Sequence, residues 1–248
     1  MDLQIANKVA IITGGTKGIG EGIARVLSRE GAKLVLVYRS DDEYAKKLKE
    51  ELDSEVMLYK LDITRHAEIE RMYAEIIKHY GTIDILVNNA AGGTISKPLH
   101  ELSYSEWKEC EEGCLDHVFT MSKMFISHCL NNKHEGRIIN VSAKAAFYSE
   151  SHDKIPYATM KGAIATLSTR MANDYIADGI YVNCIVPGYV KSKYYDTCPA
   201  EVRKNKEKYL KVGWATPEEM GNIVAFLSSP KSRQIIGAVI DCSGGTML

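Results

Sequence analysis

Residues 13–20 read Thr13-Gly14-Gly15-Thr16-Lys17-Gly18-Ile19-Gly20 and stand between an apolar run and an amphipathic segment. Before them, Val9-Ala10-Ile11-Ile12 reads as a short buried strand. After them, residues 19–30 carry Ile19, Ile23, Val26 and Leu27 on one helical face. A strand that turns on glycines into a helix is the setting in which backbone N–H groups cradle a pyrophosphate. Gly14 permits the tight turn, Gly18 lets the backbone approach the phosphates, and Gly20 lets helix pack on sheet. The helix N-terminus adds free N–H groups and the positive end of its dipole. The motif predicts a dinucleotide-binding α/β unit.

The rest of the chain keeps that rhythm. Apolar strands are predicted at 34–37, 56–59, 83–87, 137–141, 181–185 and 238–241. Helical patterns fill 41–53, 66–80, 104–132, 157–177 and 217–228. Continuous apolar strands separated by helices imply a parallel sheet covered on both faces. The expectation is one α/β domain over 1–248, a doubly wound Rossmann-type fold with a seven-stranded parallel sheet. Residues 189–213 break the alternation and read as a mobile lid inserted into that domain.

Bulk properties exclude several classes. A net charge of −1 gives no broad attraction to nucleic acid or membrane surfaces. No apolar run approaches the roughly 18 residues of a membrane span. The first residues, Met1-Asp2-Leu3-Gln4-Ile5, show no secretory signal, which sets a cytoplasmic expectation. Six cysteines at 110, 114, 129, 184, 198 and 242 form no Cys-x-x-Cys pair and read as free thiols. Cys110, Cys114 and His117 share a helical face, which reads as a packing seam; no metal site is expected.

A second motif carries chemistry. Tyr157 and Lys161 lie four apart in a predicted helix, so their side chains face the same way. A free phenol, with a pKa of about 10, is a poor base at neutral pH. A nearby ammonium favours the phenolate and tunes the group for proton transfer.

With Asp62, Asn88-Asn89-Ala90 and Pro187-Gly188 in order between and after these motifs, the chain resembles the short-chain dehydrogenase/reductase family over essentially its whole length. The resemblance implies a nicotinamide cofactor, hydride transfer to a carbonyl or from an alcohol, and a homotetramer or homodimer. By that resemblance Gly14, Thr16, Lys17, Gly18 and Ile19 hold the pyrophosphate side of the cofactor. Asp62 would contact adenine, and Asn88 and Ala90 would lie near the adenosine ribose. Pro187, Val190 and Ser192 would flank the nicotinamide. Tyr157 would be the proton donor, with Lys161 tuning it and holding the nicotinamide ribose.

Strand two ends in Tyr38-Arg39-Ser40, with no carboxylate before Asp41. An NAD site needs an acidic residue there for the ribose 2′-hydroxyl. Arg39, with Ser40 beside it and Lys17 nearby, instead suits the 2′-phosphate of NADP. The same cations would otherwise be solvated surface charge.

Two family helpers are missing. The serine that hydrogen-bonds the substrate oxygen falls at Ala143, with Ser142 one residue early. Strand alternation turns neighbouring side chains to opposite faces, although a bulge would aim Ser142 inward. Ser142 therefore stands as a candidate catalytic oxygen ligand. The helix asparagine falls at Cys114, and a thiol is a weak donor. Those losses leave open a catalytically weak NADP-binding partner or sensor protein. Asn88-Asn89-Ala90-Ala91 also resembles relatives that reduce enoyl thioesters, some of which place six residues between the tyrosine and the lysine. Here that slot is Lys154.

The lid carries Lys191, Lys193, Arg203, Lys204, Lys206, Lys208 and Lys211 against Asp196, Glu201 and Glu207. Tyr194, Tyr195 and Trp214 add aromatic surface. This suits a small anionic or carrier-bound substrate, or simply a solvated face. Tyr148, His152 and Asp153 should form the opposite wall.

Overall fold

The structure is a computed structural model that describes residues 1–148 and 153–246, apart from the side chains of Lys193 and Tyr194. Seven parallel strands form one sheet in the order β3-β2-β1-β4-β5-β6-β7. They are β1 Val9–Thr13, β2 Lys33–Tyr38, β3 Val56–Lys60, β4 Ile85–Asn88, β5 Gly136–Val141, β6 Ile180–Pro187 and β7 Val239–Cys242. Helices α1 Gly18–Arg29, α2 Asp42–Glu51, α3 His66–Tyr80, α5 His117–Asn132, α6 Ile155–Tyr175 and α9 Pro217–Leu227 cover the two faces. The chain is a single Rossmann-like α/β domain.

Alternation along the strands feeds two cores. Ala10 and Ile12 of β1 and Leu34 and Leu36 of β2 point to the face covered by α1 and α9. Val9 and Ile11, with Val35 and Val37, point to the face covered by α3 and α5. Each fully buried Val, Leu or Ile among them contributes about 1.5–3 kcal/mol. A one-residue slip of β1 would send both sets to the wrong faces, so packing fixes the register Ile11↔Val35 and Ile11↔Leu86.

Strand order reverses between β1 and β4, which opens a crevice at the carboxyl ends of the strands. Strand four starts later than the sequence predicts. Asp84 precedes it because its carboxylate accepts from Val9 N–H at 2.8 Å and pairs with Lys8 at 3.0 Å. The predicted helix over 104–132 is one long run in two parts. After α4, Tyr104–Glu111, a π-helical turn at Glu112–Asp116 leads into α5.

Residues 189–213, expected from the sequence to form a lid, include two short helices, α7 Lys193–Thr197 and α8 Ala200–Glu207. The base of this segment is pinned. Lys191 N–H donates to Ala215 C=O at 2.7 Å, and Ala215 N–H donates to Tyr189 C=O at 3.0 Å. Among the described residues no helix is long and apolar enough to cross a membrane.

Candidate active site

A cavity of about 770 Å³ follows the crevice from Arg39 and Asp62 at one end to Tyr157 and Trp214 at the other. Its floor is the glycine turn. Gly14 sits at φ +63°, which a residue with a side chain rarely adopts, and a Cβ there would press on Asn89 and Ala90. A Cβ on Gly20 would lie 2.1 Å from the Gly14 carbonyl oxygen, so only glycine lets α1 seat on the turn. The N-terminus of α1 has no side-chain cap. Its first N–H groups are therefore available to an anion. Thr16, Lys17, Gly18 and Ile19 all line the cavity beside them.

The loop after β4 is tied to this turn. Asn89 N–H and Ala90 N–H both donate to Thr13 Oγ1 at 3.0 Å, and Asn89 Nδ2 donates to Thr13 C=O at 2.9 Å. Asn89, Ala90 and Ala91 form the wall. Asn88, expected at the ribose, turns its amide into the interior. Its Nδ2 donates to Asn140 Oδ1 at 2.8 Å and Ser122 Oγ at 3.1 Å. Asn140 Nδ2 in turn donates to Ser168 Oγ at 2.8 Å. This buried amide chain joins β4, β5 and α6, and the asparagine side chain facing the cavity is Asn89, one residue on.

At the far end of β2, Arg39 and Ser40 line the cavity with Asp62. The Thr64 backbone N–H, then its hydroxyl and the Arg39 and Arg65 charges, hold the Asp62 carboxyl below its ordinary value, against a burial effect that opposes them. Lys17 is ion-paired with Asp41 at 2.9 Å. The carboxylate that the sequence places just beyond Ser40 therefore reaches one of the two cations assigned to a 2′-phosphate.

The chemistry sits where α6 passes the ends of β5 and β6. Tyr157 and Lys161 share the helix face that meets the cavity. Lys161 is buried, and its Nζ donates to Val141 C=O at 2.8 Å and lies 5.8 Å from the Tyr157 ring centroid. Burial lowers its pKa, while the Cys114, Cys184 and Cys110 thiols push the other way. Burial, then Cys114 and Cys110, pushes the Tyr157 phenol up to about 12. In the protein alone the phenol is thus a loaded proton donor rather than a base.

Ser142 continues the β5 pairing, donating its N–H to Ile185 C=O at 2.9 Å. Its hydroxyl donates to the Lys161 carbonyl at 2.7 Å. That bond commits the one hydroxyl proton to the α6 backbone, so Ser142 touches the cavity without offering it a donor. Ala143, in extended conformation, presents a methyl group to the same cavity.

The π-turn places Cys114 on the opposite side. Its thiol donates to Gly92 C=O at 3.0 Å, and Gly92 N–H donates to Gly113 C=O at 2.9 Å. Cys114 therefore clamps the helix bend to the glycine loop and packs with Cys110, Met160 and Tyr157. Among the described residues no group of three or more His, Cys, Asp or Glu side chains is arranged to hold a metal ion.

His117, one turn on, is fully buried. Burial, then the Lys161 charge, drives its pKa down to about 3, with backbone groups of Ala90 and Glu112 opposing. The imidazole is neutral in the fold but takes a proton below about pH 6.5 when unfolded. The unfolded state then binds the extra proton, so this group's stability contribution is intact above pH 6.5. It falls by about 1.4 kcal/mol per pH unit from there towards pH 3. Urea unfolding from pH 7 to pH 4 should show His117→Met reducing the acid-side loss; an unchanged loss refutes this origin.

Pro187, Val190 and Ser192 line the cavity beside Tyr189. Tyr189, which no sequence motif marks, packs against Trp214 with ring planes tilted 45° and centroids 5.2 Å apart. Tyr148 is described and half-exposed, Asp153 anchors Lys97 N–H through its carbonyl at 2.9 Å, and His152 lies outside the described residues.

The comparisons with known proteins agree with this geometry. A family model described as enoyl-(acyl carrier protein) reductase matches residues 14–247. The meso-2,3-butanediol dehydrogenase of Serratia marcescens is 32% identical, with 98% of this chain and 96% of that protein covered. The cis-4-hydroxycyclohexanecarboxylate dehydrogenase of Sinomonas cyclohexanicum is 30% identical, covering 99% and 98%. A solved short-chain dehydrogenase/reductase from Serratia marcescens superposes with a TM-score of 0.90 at 26% identity, covering 98% of this chain and 99% of that one. The chain belongs to the short-chain dehydrogenase/reductase family. It is accordingly an oxidoreductase of a family that uses the nicotinamide cofactors NAD and NADP.

Proposed function

We propose that this protein reduces a carbonyl group of a small or acyl-type substrate with NADPH, with Tyr157 as proton donor. One observation carries the reading: a single cavity has a phosphate-cradling glycine turn along its floor and the Tyr157–Lys161 pair at its end. The residues fit a dinucleotide. Gly14, Thr16, Lys17, Gly18 and Ile19 would receive its pyrophosphate, Arg39, Ser40 and Asp62 its adenosine end, and Lys161, Pro187, Val190 and Ser192 its nicotinamide end.

The cofactor would supply the hydride. The protein supplies the proton and its placement. Tyr157 holds a proton on its phenol oxygen, kept there by burial. Lys161 sets an ammonium behind it, fixed on the Val141 carbonyl. The positive charge favours the phenolate left after transfer, so the donor is easier to discharge than an isolated phenol. In alcohol oxidation the same group must first lose its proton, so that direction should quicken as pH rises through the alkaline range.

Carbonyl chemistry is favoured over enoyl-thioester reduction because the tyrosine that faces the cavity is four residues before Lys161. Lys154, with six residues between it and Lys161, stands at the N-cap position of α6 and lies outside the cavity wall. NADPH oxidation measured with ketones, ketoacyl thioesters and enoyl thioesters tests this. Turnover confined to enoyl thioesters would overturn it. NADPH binding without turnover on any of them would favour the binding-protein reading that Ala143 and Cys114 motivate.

For the cofactor, Arg39 at the cavity end and Lys17 beside it support NADPH, although Asp41 draws on Lys17. The expected preference over NADH is about tenfold, or about 1.4 kcal/mol. Fluorescence titration with both cofactors measures it, and Arg39→Ala should remove most of it. Equal affinities in the unaltered protein would sink the assignment.

A further inference from the structure

Lys17 stands where two hollows meet. It lines the cofactor cavity together with Thr16, Gly18, Arg39 and Ser40. It also lines a neighbouring groove of about 500 Å³, which shares Lys17, Gly18 and Ser192 with the cavity. The ammonium reaches into the groove: its Nζ lies 2.9 Å from Asp41 Oδ2, and Asp41 lines the groove but not the cavity. The Lys17 side chain is 44% exposed, so the ion pair rather than packing keeps it there. Arg39, the other cation assigned to a 2′-phosphate, lines the cavity and not the groove.

Asp41 is held in place for this contact. It sits at φ +74° and ψ 62°, in the left-handed region that few side chains enter. In that conformation one carboxylate serves two partners. Oδ1 accepts the Tyr44 N–H at 3.4 Å as the N-cap of α2, and Oδ2 takes Lys17. Tyr44 is fixed in turn, because its hydroxyl donates to Glu21 Oε2 at 2.9 Å. Arg25 then joins Glu21 of α1, at 2.9 Å, to Glu51 at the end of α2, at 2.7 Å. The carboxylate is thus anchored to α2, and α2 to the helix that carries Lys17 at its start.

We propose that Asp41 sets the size of the NADPH preference by competing with the ribose 2′-phosphate for the Lys17 ammonium. Asp41 is a positioning residue: it needs no contact with the cofactor and acts through Lys17. NADH has no 2′-phosphate to compete for that ammonium, so its binding is not affected. The proposal rests on the NADPH reading and deepens it by naming the residue that tunes it. The contribution of an exposed ion pair converts, at its upper end, to about fivefold in affinity.

Asp41→Asn tests this with the backbone kept. Asparagine enters the left-handed region readily and caps helices as well as aspartate does, so only the charge is lost. Fluorescence titration should show NADPH bound about fivefold more tightly and NADH unchanged. Adenosine 2′,5′-bisphosphate should gain as NADPH does, and 5′-AMP should not. Asp41→Gly suits the same φ and also lacks the carboxylate, so it should give the same gain. In a Lys17→Met background, Asp41→Asn should lose most of its effect on NADPH. The Lys17 side chain makes no cap bond in α1, so that background should fold. A cofactor ratio unmoved by both Asp41 variants, or NADH tightened as much as NADPH, overturns the proposal and leaves the NADPH reading standing. Equal gains with and without Lys17 also overturn it, since Asp41 would then act by direct repulsion of the phosphate. If the unaltered protein binds NADH more tightly, the NADPH reading fails, and the shift of the ratio on Asp41→Asn still decides the proposal.

Discussion

Replacing Tyr157 by phenylalanine should lower carbonyl reduction by about 100- to 10,000-fold, the usual contribution of a positioned proton donor. The ring stays, so its contacts with Cys110, Cys114 and Met160 persist and the fold should be unchanged. NADPH should still bind, because the glycine turn and Arg39 lie elsewhere in the cavity. Stopped assays with the best carbonyl substrate, paired with a cofactor titration, measure both quantities. A variant that keeps most of its turnover would show that the proton comes from another group. The Lys161 ammonium would be the first suspect, since burial lowers its pKa and makes it a readier donor.

Much of this was legible in the sequence because it follows from local rules. Continuous apolar runs at β1 and β2 and glycines at the strand–helix turn predict the sheet, its order of elements and the floor of the cavity. Boundaries set by tertiary bonds were not legible. Asp84 looks like part of strand four until its carboxylate is seen holding Val9 and Lys8. The π-turn at Glu112–Asp116 has no periodic signature of its own. It is held by Cys114 on Gly92 and by the close approach of Gly113 to the glycine loop.

Within the site, the readings that needed only a position in the chain place residues in the cavity, and those that needed a side-chain direction fare differently. Asn88 and Asn89 are adjacent, and only the bond from Asn88 to Asn140 shows which of them serves the sheet interior. Ser142 is the same kind of problem. Its hydroxyl could have been turned inward by a bulge, but β5 keeps its regular pairing with β6 through Ile185, and the hydroxyl reaches the α6 backbone instead. Tyr189 left no sequence signal because its place in the cavity wall goes with its contact to Trp214, 25 residues on in the chain.

That placement of Ser142 makes the second large effect one of gain. Ala143 faces the cavity with a methyl group where a hydroxyl donor would stabilise the developing oxyanion. One such donor is worth about 2.7–4 kcal/mol, or about 100- to 1000-fold in turnover. Ala143→Ser adds a single oxygen at an extended position with ordinary backbone angles, φ −157° and ψ 151°, and should raise carbonyl reduction towards that range. Ser142→Ala should change turnover little. It removes a bond to the Lys161 carbonyl and should cost about 1 kcal/mol of stability instead. Turnover of both variants on one substrate, with urea unfolding as control, separates the roles. If Ser142→Ala loses turnover about 100-fold while Ala143→Ser gains nothing, the hydroxyl must swing from α6 to the substrate when the site is loaded. If Ala143→Ser alone gains, the site is a working reductase that lacks one donor.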